Sequence, residues 1–185
     1  DLACASESIF GLSVYNLDTK ATGTFDLTGN GKYAGWNFIY YVFPTNESVA
    51  DVRRSKQWVD LKKNGQDIYV CKKFYQTERD AKNEIPLIRL TEMYFIVMEA
   101  TTSATEANQL YREYASARGV SSNVDLTTNR ENVLKKEFNK EFYAEGQMFF
   151  FYKRTGATSA LDYSQLKPES YVVPLPEREI IYNNK

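Results

Sequence analysis

The stretch Ile85-Pro-Leu-Ile-Arg-Leu-Thr-Glu-Met-Tyr-Phe-Ile-Val-Met-Glu-Ala100 decides how the rest of the chain is read. From Ile88 to about Thr101 it has neither Gly nor Pro, and its apolar side chains extend around most of the helical circumference, nearly unbroken from Met93 to Met98. That pattern predicts a buried helix, because a surface helix keeps one face polar. Pro86 falls where a first helical turn tolerates proline. Thr105 to Arg118 then spaces Ala107, Leu110, Tyr111, Tyr114, Ala115 and Arg118 at threes and fours, and Gly119 follows where a helix would stop. Two helices with so short a link are expected to pair antiparallel. Thr128-Asn-Arg-Glu131 has capping-box spacing, and Leu134, Phe138 and Phe142 recur every four residues. These predict a third helix to about Glu145, with a continuation past Gly146 through Phe149 to Lys153 left open. From Gly156 onward, Pro168, Pro174 and Pro176 predict an extended tail.

Ahead of the helices the period is nearer two. Ser6 to Val14 reads as a strand, and Asn64-Gly65 between two β-rich runs predicts a hairpin from Gln57 to Phe74. Between them, Asp18 to Gly35 contains four of the nine glycines and predicts a loop. Trp36, Phe38, Tyr40, Tyr41 and Phe43 then crowd in before Pro44 as rings carried on that loop. The expected fold class is mainly α in one domain. Residues 1–80 form a loop-rich platform with short β-hairpins, 84–155 a helical scaffold and 156–185 an extended tail. The helix pairs resemble tetratricopeptide units in size, although no clean 34-residue self-similarity accompanies them.

Composition narrows the function classes. The chain has 185 residues, 43% of them apolar, which suffices for one core, and it carries 14 Tyr, 11 Phe and 2 Trp. With 23 basic and 24 acidic residues it offers no field to attract nucleic acid or an anionic membrane surface. Residues 51–79 are mildly basic, which a solvated strand-and-turn face explains better than an anion site. The absence of His removes imidazole bases, Ser-His and Cys-His nucleophile pairs and His-bearing metal sites. Cys4 and Cys71 cannot build a four-thiolate centre and read as free or incidental thiols, their pairing left open, so neither a metal nor a cofactor is expected. The longest apolar run, around Met148 to Tyr152, falls far short of the roughly 20 residues that span a bilayer. The opening residues read as protein interior rather than leader, and Asp1 stands where a lipidation signal would place Leu before Cys4, so a trimmed piece is expected.

Four segments in order resemble the C-terminal part of the SusD/RagB family, nutrient-binding outer-membrane lipoproteins of Bacteroidetes. They are Ile85 to Ala100, Glu106 to Gly119, Lys136 to Arg154 and the Pro174-Leu-Pro-Glu-Arg-Glu179 tail, with looser similarity at Glu7-Ser-Ile-Phe10 and Asp51-Val-Arg53. The resemblance implies a helical scaffold on one side and a ligand platform of loops and short strands on the other. It further implies a non-enzymatic role at the cell surface, handing glycan or peptide to a TonB-dependent, SusC-like outer-membrane transporter. A lipid anchor outside this chain would be its only membrane attachment.

Read as residues, the motifs mostly build scaffold. Arg89, Glu92 and Glu99 on a buried helix need partners, expected among Arg112, Arg118, Glu137, Glu141 and Arg154. Glu145-Gly146 suggests a close backbone approach, and Phe149, Phe150, Phe151 and Tyr152 read as core rings. Glu137 and Glu141, four apart with Lys135, Lys136 and Lys140 interleaved, read as a charged surface rather than a catalytic pair. Glycan capture needs flat rings for the sugar's C–H face and polar groups for its hydroxyls. Trp36 is the first stacking candidate, with Tyr33, Tyr40 and Tyr41 beside it and Asn30, Asn37 and Asp26 as polar partners; Trp58 is the second. The alternative is that these rings fill the core under the platform. On a strand, Tyr40 and Tyr41 would point to opposite faces. A helical-repeat adaptor that binds protein through a groove, and a carboxylate-based carbohydrate enzyme, are the competing classes.

Overall fold

The computed structural model describes residues 5–44, 50–75, 83–120, 123–160, 165–173 and 176. Cys4 and the Pro174–Glu179 tail, apart from Pro176, lie outside the described residues. A short 3-10 turn, Ala5–Glu7, leads into β1 (Ser8–Ser13), followed by α1 (Leu17–Thr24), β2 (Ala34–Gly35), α2 (Trp36–Val42) and α3 (Val52–Gln57). Then come β3 (Trp58–Lys63), β4 (Gln66–Cys71), β5 (Glu84–Arg89), α4 (Leu90–Ala100), α5 (Ala104–Ala117), α6 (Leu126–Glu141), α7 (Gln147–Thr155) and a 3-10 turn at Pro168–Tyr171.

The helical half forms largely as its periodicity requires. α4 and α5 run in opposite directions, because contacts move down one helix as they move up the other. Arg118 donates to Thr91 at 2.9 Å, the rings of Phe95 and Tyr114 meet edge to face at 5.2 Å, and Thr101 bonds Glu106. Ser103 caps α5 by accepting from the Glu106 amide, and Gly119 follows the helix at φ 69°. A Cβ on Gly119 would sit 2.5 Å from the Ala50 carbonyl oxygen, so this stop signal also allows a loop to cross closely. α6 begins two residues before the predicted Thr128, capped by Asp125, and kinks at Asn129. Phe95 and Met98 from α4, Tyr111 and Tyr114 from α5, Leu134, Phe138 and Phe142 from α6 and its end, and Phe151 from α7 make one core.

The Asn64-Gly65 hairpin is present: both residues have positive φ (51° and 79°), as a tight turn between β3 and β4 demands, and the register runs from Trp58↔Cys71 to Lys63↔Gln66. β2 adds on the other side of β4. β1 pairs antiparallel with β5, placing Pro86 opposite Gly11 inside a strand rather than in the first turn of α4. An isolated two-stranded ribbon accepts proline because its outer edge needs no ladder bond.

Several expectations are overturned. The first part of the stretch expected as loop, from Asp18, lies in a two-turn helix, Leu17–Thr24, that docks Leu17 and Ala21 against Phe74, tertiary packing outweighing weak helical propensity. α4 buries only one side: Leu90, Ile96 and Val97 stay exposed. Phe149 and Phe150 are exposed, and only Phe151 of that trio is core. The helix does not run on through Gly146. It breaks at Phe142, with Ala144 at φ 65° and Gly146 at φ 77°, and a Cβ on Gly146 would meet nothing, so this glycine supplies conformation and not close approach.

The largest correction concerns Glu137 and Glu141, which are buried and not a charged surface. Glu141 receives three guanidiniums: Arg89 at 2.8 Å, Arg118 at 2.9 and 3.0 Å, and Arg53 at 3.2 Å. Arg53 also bonds Asp51 and Glu137, each at 2.8 Å, and Lys140 reaches Glu137 at 2.7 Å. Lys73 and Arg89 share Glu145, and Arg118 holds Glu7 at 2.8 Å. The five cations Arg53, Lys73, Arg89, Arg118 and Lys140 thus meet the five carboxylates Glu7, Asp51, Glu137, Glu141 and Glu145. Tyr114 completes the cluster, its hydroxyl donating toward Glu137 at 3.1 Å while Arg53 and Arg118 lie over its ring. Burial alone would raise the Glu141 carboxyl, but hydrogen bonding from Arg118 and the charges of Arg53, Arg118 and Arg89 hold it well below the ordinary range. Glu137 is lowered too, burial being outweighed by Arg53 and Lys140.

Removing one partner leaves uncompensated charge, so Glu141→Gln should cost about 3–5 kcal/mol in urea unfolding at pH 7. Because both carboxyls titrate lower when folded than when unfolded, their stabilisation is complete above the ordinary glutamate value of 4.5. It is lost as pH falls through the lower folded values. The wild-type midpoint should therefore drop on acidification, and the E141Q midpoint should drop less steeply. Ala144→Gly, which relieves a left-handed residue bearing a Cβ, should raise stability by about 1 kcal/mol in the same assay.

Candidate functional site

The aromatic run before Pro44 is helical. On α2, Trp36, Tyr40, Asn37 and Tyr41 fall at about 0°, 40°, 100° and 140° around the axis, while Phe38, Ile39 and Val42 fall between about 200° and 300°. Ile39 and Val42 are buried against β4 and α6, so the first four residues form the outer face. This resolves the choice that a strand reading left open: Tyr40 and Tyr41 share a side, because helical neighbours differ by about 100° rather than 180°.

The geometry of that face is specific. The Trp36 and Tyr40 rings stack with centroids 4.7 Å apart and planes 19° from parallel, and Tyr41 meets Tyr40 edge-on at 5.6 Å. Trp36 is 51% and Tyr40 46% exposed, so the pair presents ring surface to solvent while ordering itself through an i,i+4 contact. Asn37 is exposed on the same face. Beneath it, β2 fixes the entry to α2 through Ala34↔Tyr69 and Gly35↔Ile68.

The other sequence candidates go elsewhere. Trp58 is a correction: it is 5% exposed, packed 4.7 Å from Tyr143 and 6.0 Å from Phe38, because its place at the start of β3 turns it into the core shared with Ile39 and Val42. Burial there also pushes the Tyr143 hydroxyl up to about 12, with Cys71 adding to the effect. Tyr33 is exposed, with the Lys63 ammonium 5.1 Å from its ring centre. Asp26 accepts from the Thr28 amide and hydroxyl at 2.8 and 2.7 Å, and Asn30 donates to that hydroxyl at 3.0 Å, so these two staple their own turn. Thr28 also lowers the Asp26 carboxyl below its usual value.

Two concavities escaped the sequence reading. One, about 520 Å³, lies behind the inner side of α2, walled by Phe25, Phe38, Tyr143, Met148 and Phe149 with Lys32 at its edge. The other, about 430 Å³, lies between α4 and α7. Both depend on the break at Phe142–Gly146, for which Gly146 was the available signal. Glu99 finds its expected partner in Arg154, and Arg89 in Glu141. Glu92 departs from expectation: among the described residues no cation stands in ion-pair contact with it.

No protein-family model matches the chain, and no curated protein does. Among solved structures, the chain is similar to a SusD superfamily protein from Bacteroides vulgatus ATCC 8482, with a TM-score of 0.71 over 97% of this chain and 22% sequence identity. The matched region is 45% of that protein, so this chain spans a little under half of its length.

The two tryptophans should separate in solution. Trp36→Phe should leave only blue-shifted emission from Trp58 that acrylamide quenches poorly, whereas wild type should show a second, readily quenched component. A single quenchable population in W36F would place Trp58 outside.

Proposed function

Since the chain carries the fold of a SusD-superfamily protein, we propose that it belongs to a nutrient-binding component of an outer-membrane uptake system, and that it captures glycan without chemistry. The observation that carries this reading is the co-facial, half-exposed Trp36–Tyr40 pair with Asn37 and Tyr41 beside it. Ring faces ordered before binding suit the C–H face of a pyranose, and an amide and phenolic hydroxyls nearby suit its hydroxyls. Glu137 and Glu141 offer no acid/base pair to a polysaccharide, since they are buried and saturated by cations. A TonB-dependent, SusC-like transporter is the proposed partner, and a lipid anchor outside this chain the proposed attachment at the cell surface. A peptide or glycopeptide ligand is the second reading, favoured by the apolar cavity behind α2 with its cationic edge.

Affinity electrophoresis through a panel of polysaccharides tests the first reading. At least one should retard the protein, and Trp36→Ala or Tyr40→Ala should weaken that retardation about tenfold, an effect of about 1.4 kcal/mol. No polysaccharide should be turned over. Hydrolysis abolished by one carboxylate substitution would replace this proposal with an enzyme.

A further inference from the structure

The groove between α4 and α7 lies apart from the α2 rings and has its own chemistry. Its volume of about 430 Å³ is within the range of small-ligand sites. Ile96, 50% exposed, and Phe150, 64% exposed, present apolar surface on opposite walls, with Phe95 and Phe151 forming the inner lining. At one end a cation is already bound by the same kind of groups: the Arg154 guanidinium lies 5.3 Å from the Phe151 ring centre and pairs with Glu99. Glu99 and Arg154 neutralise each other, so the remaining charge on the lining is the carboxylate of Glu92.

Glu92 is half-buried, and among the described residues it has neither an ion pair nor a hydrogen bond. The charged groups that act on it are Arg89 from β5, Glu145 from the α6–α7 turn and Arg154 from α7. Both arginines are engaged elsewhere, Arg89 by Glu141 and Glu145, and Arg154 by Glu99. Burial raises the Glu92 carboxyl, with Glu145 adding to the effect, against the lowering influence of the two arginines. A half-buried carboxylate beside apolar side chains, with no cation in ion-pair contact, favours a ligand that brings one, and the exposed Phe150 ring on the same lining adds to that preference.

We propose that the α4–α7 groove is a binding site for a small organic ammonium with an apolar body, its cation held by Glu92 and its body lying between Ile96 and Phe150. The pattern repeats what Arg154 does at the occupied end, so the chain itself shows that these side chains accept a cation over a ring. The site is independent of the glycan reading, since it shares no residue with the face of α2.

NMR titration of the full 185-residue chain with 2-phenylethylamine, 2-phenylethanol and 3-phenylpropionate tests it at pH 7. The amine should bind at least about fivefold tighter than the alcohol, and the acid more weakly than either. Glu92→Gln should abolish the difference between amine and alcohol while leaving the melting temperature unchanged or higher. Phe150→Ala should weaken amine and alcohol alike. Amine binding should also fade on acidification, starting at higher pH than an ordinary glutamate would give. Equal binding of amine and alcohol, absence of amine binding, or an undiminished amine preference in E92Q would each overturn the proposal.

Discussion

Three arginines converge on one buried carboxylate, and that convergence organises the molecule. Arg53 arrives from the first turn of α3, Arg89 from the end of β5 and Arg118 from the end of α5, all to meet Glu141 at the end of α6. No two of these elements are held in place by local sequence alone. Each guanidinium has lost water on entering the interior, and only the complete set of partners recovers that loss. The cluster therefore ties the start of α3, the end of β5 and the ends of α5 and α6 to one point. Ring packing around Phe95 and Phe138 builds the core between these helices, while the charges join their ends.

Which features were legible follows from this division. The α4–α5 pair and the Asn64-Gly65 hairpin were readable because their signals are local: a 3.6-residue apolar period, a C-terminal glycine, a two-residue turn requiring positive φ. The charge cluster was not. Glu137, Lys140 and Glu141 have the spacing of an ordinary solvated helix face, and nothing in that spacing says that Arg53 and Arg89 approach from distant segments. A helix whose last turn is buried on every side looks, in sequence, like one that is exposed. The same limit hid Lys73, which lies within a basic stretch yet is among the most buried residues.

The candidate site was half legible for a related reason. The inventory of rings was plain, but their arrangement depended on whether Trp36–Val42 is extended or helical. Aromatic residues favour strands by propensity, and Gly35 and Pro44 bracket too few residues for a period to declare itself. Packing of Ile39 and Val42 against β4 and α6 settles it. Trp58, the second candidate, follows the core alternative: a strand's first residue can face either way, and here it faces inward.

The two kinds of surface also differ in how they reach their geometry. The Trp36–Tyr40 pair is aligned by one turn of its own helix, and that helix is held by the packing of Ile39 and Val42 against β4 and α6. The groove at Glu92 exists only because α7 restarts after a sharp break and is drawn against α4, with Glu99 and Arg154 joining the two helices. Glu145, in that break, is bound by Arg89 and Lys73, so the charge cluster reaches the groove through the very turn that opens it. Both surfaces therefore depend on α6, the groove through the turn that follows it and the α2 rings through the packing of Ile39 and Val42 against it.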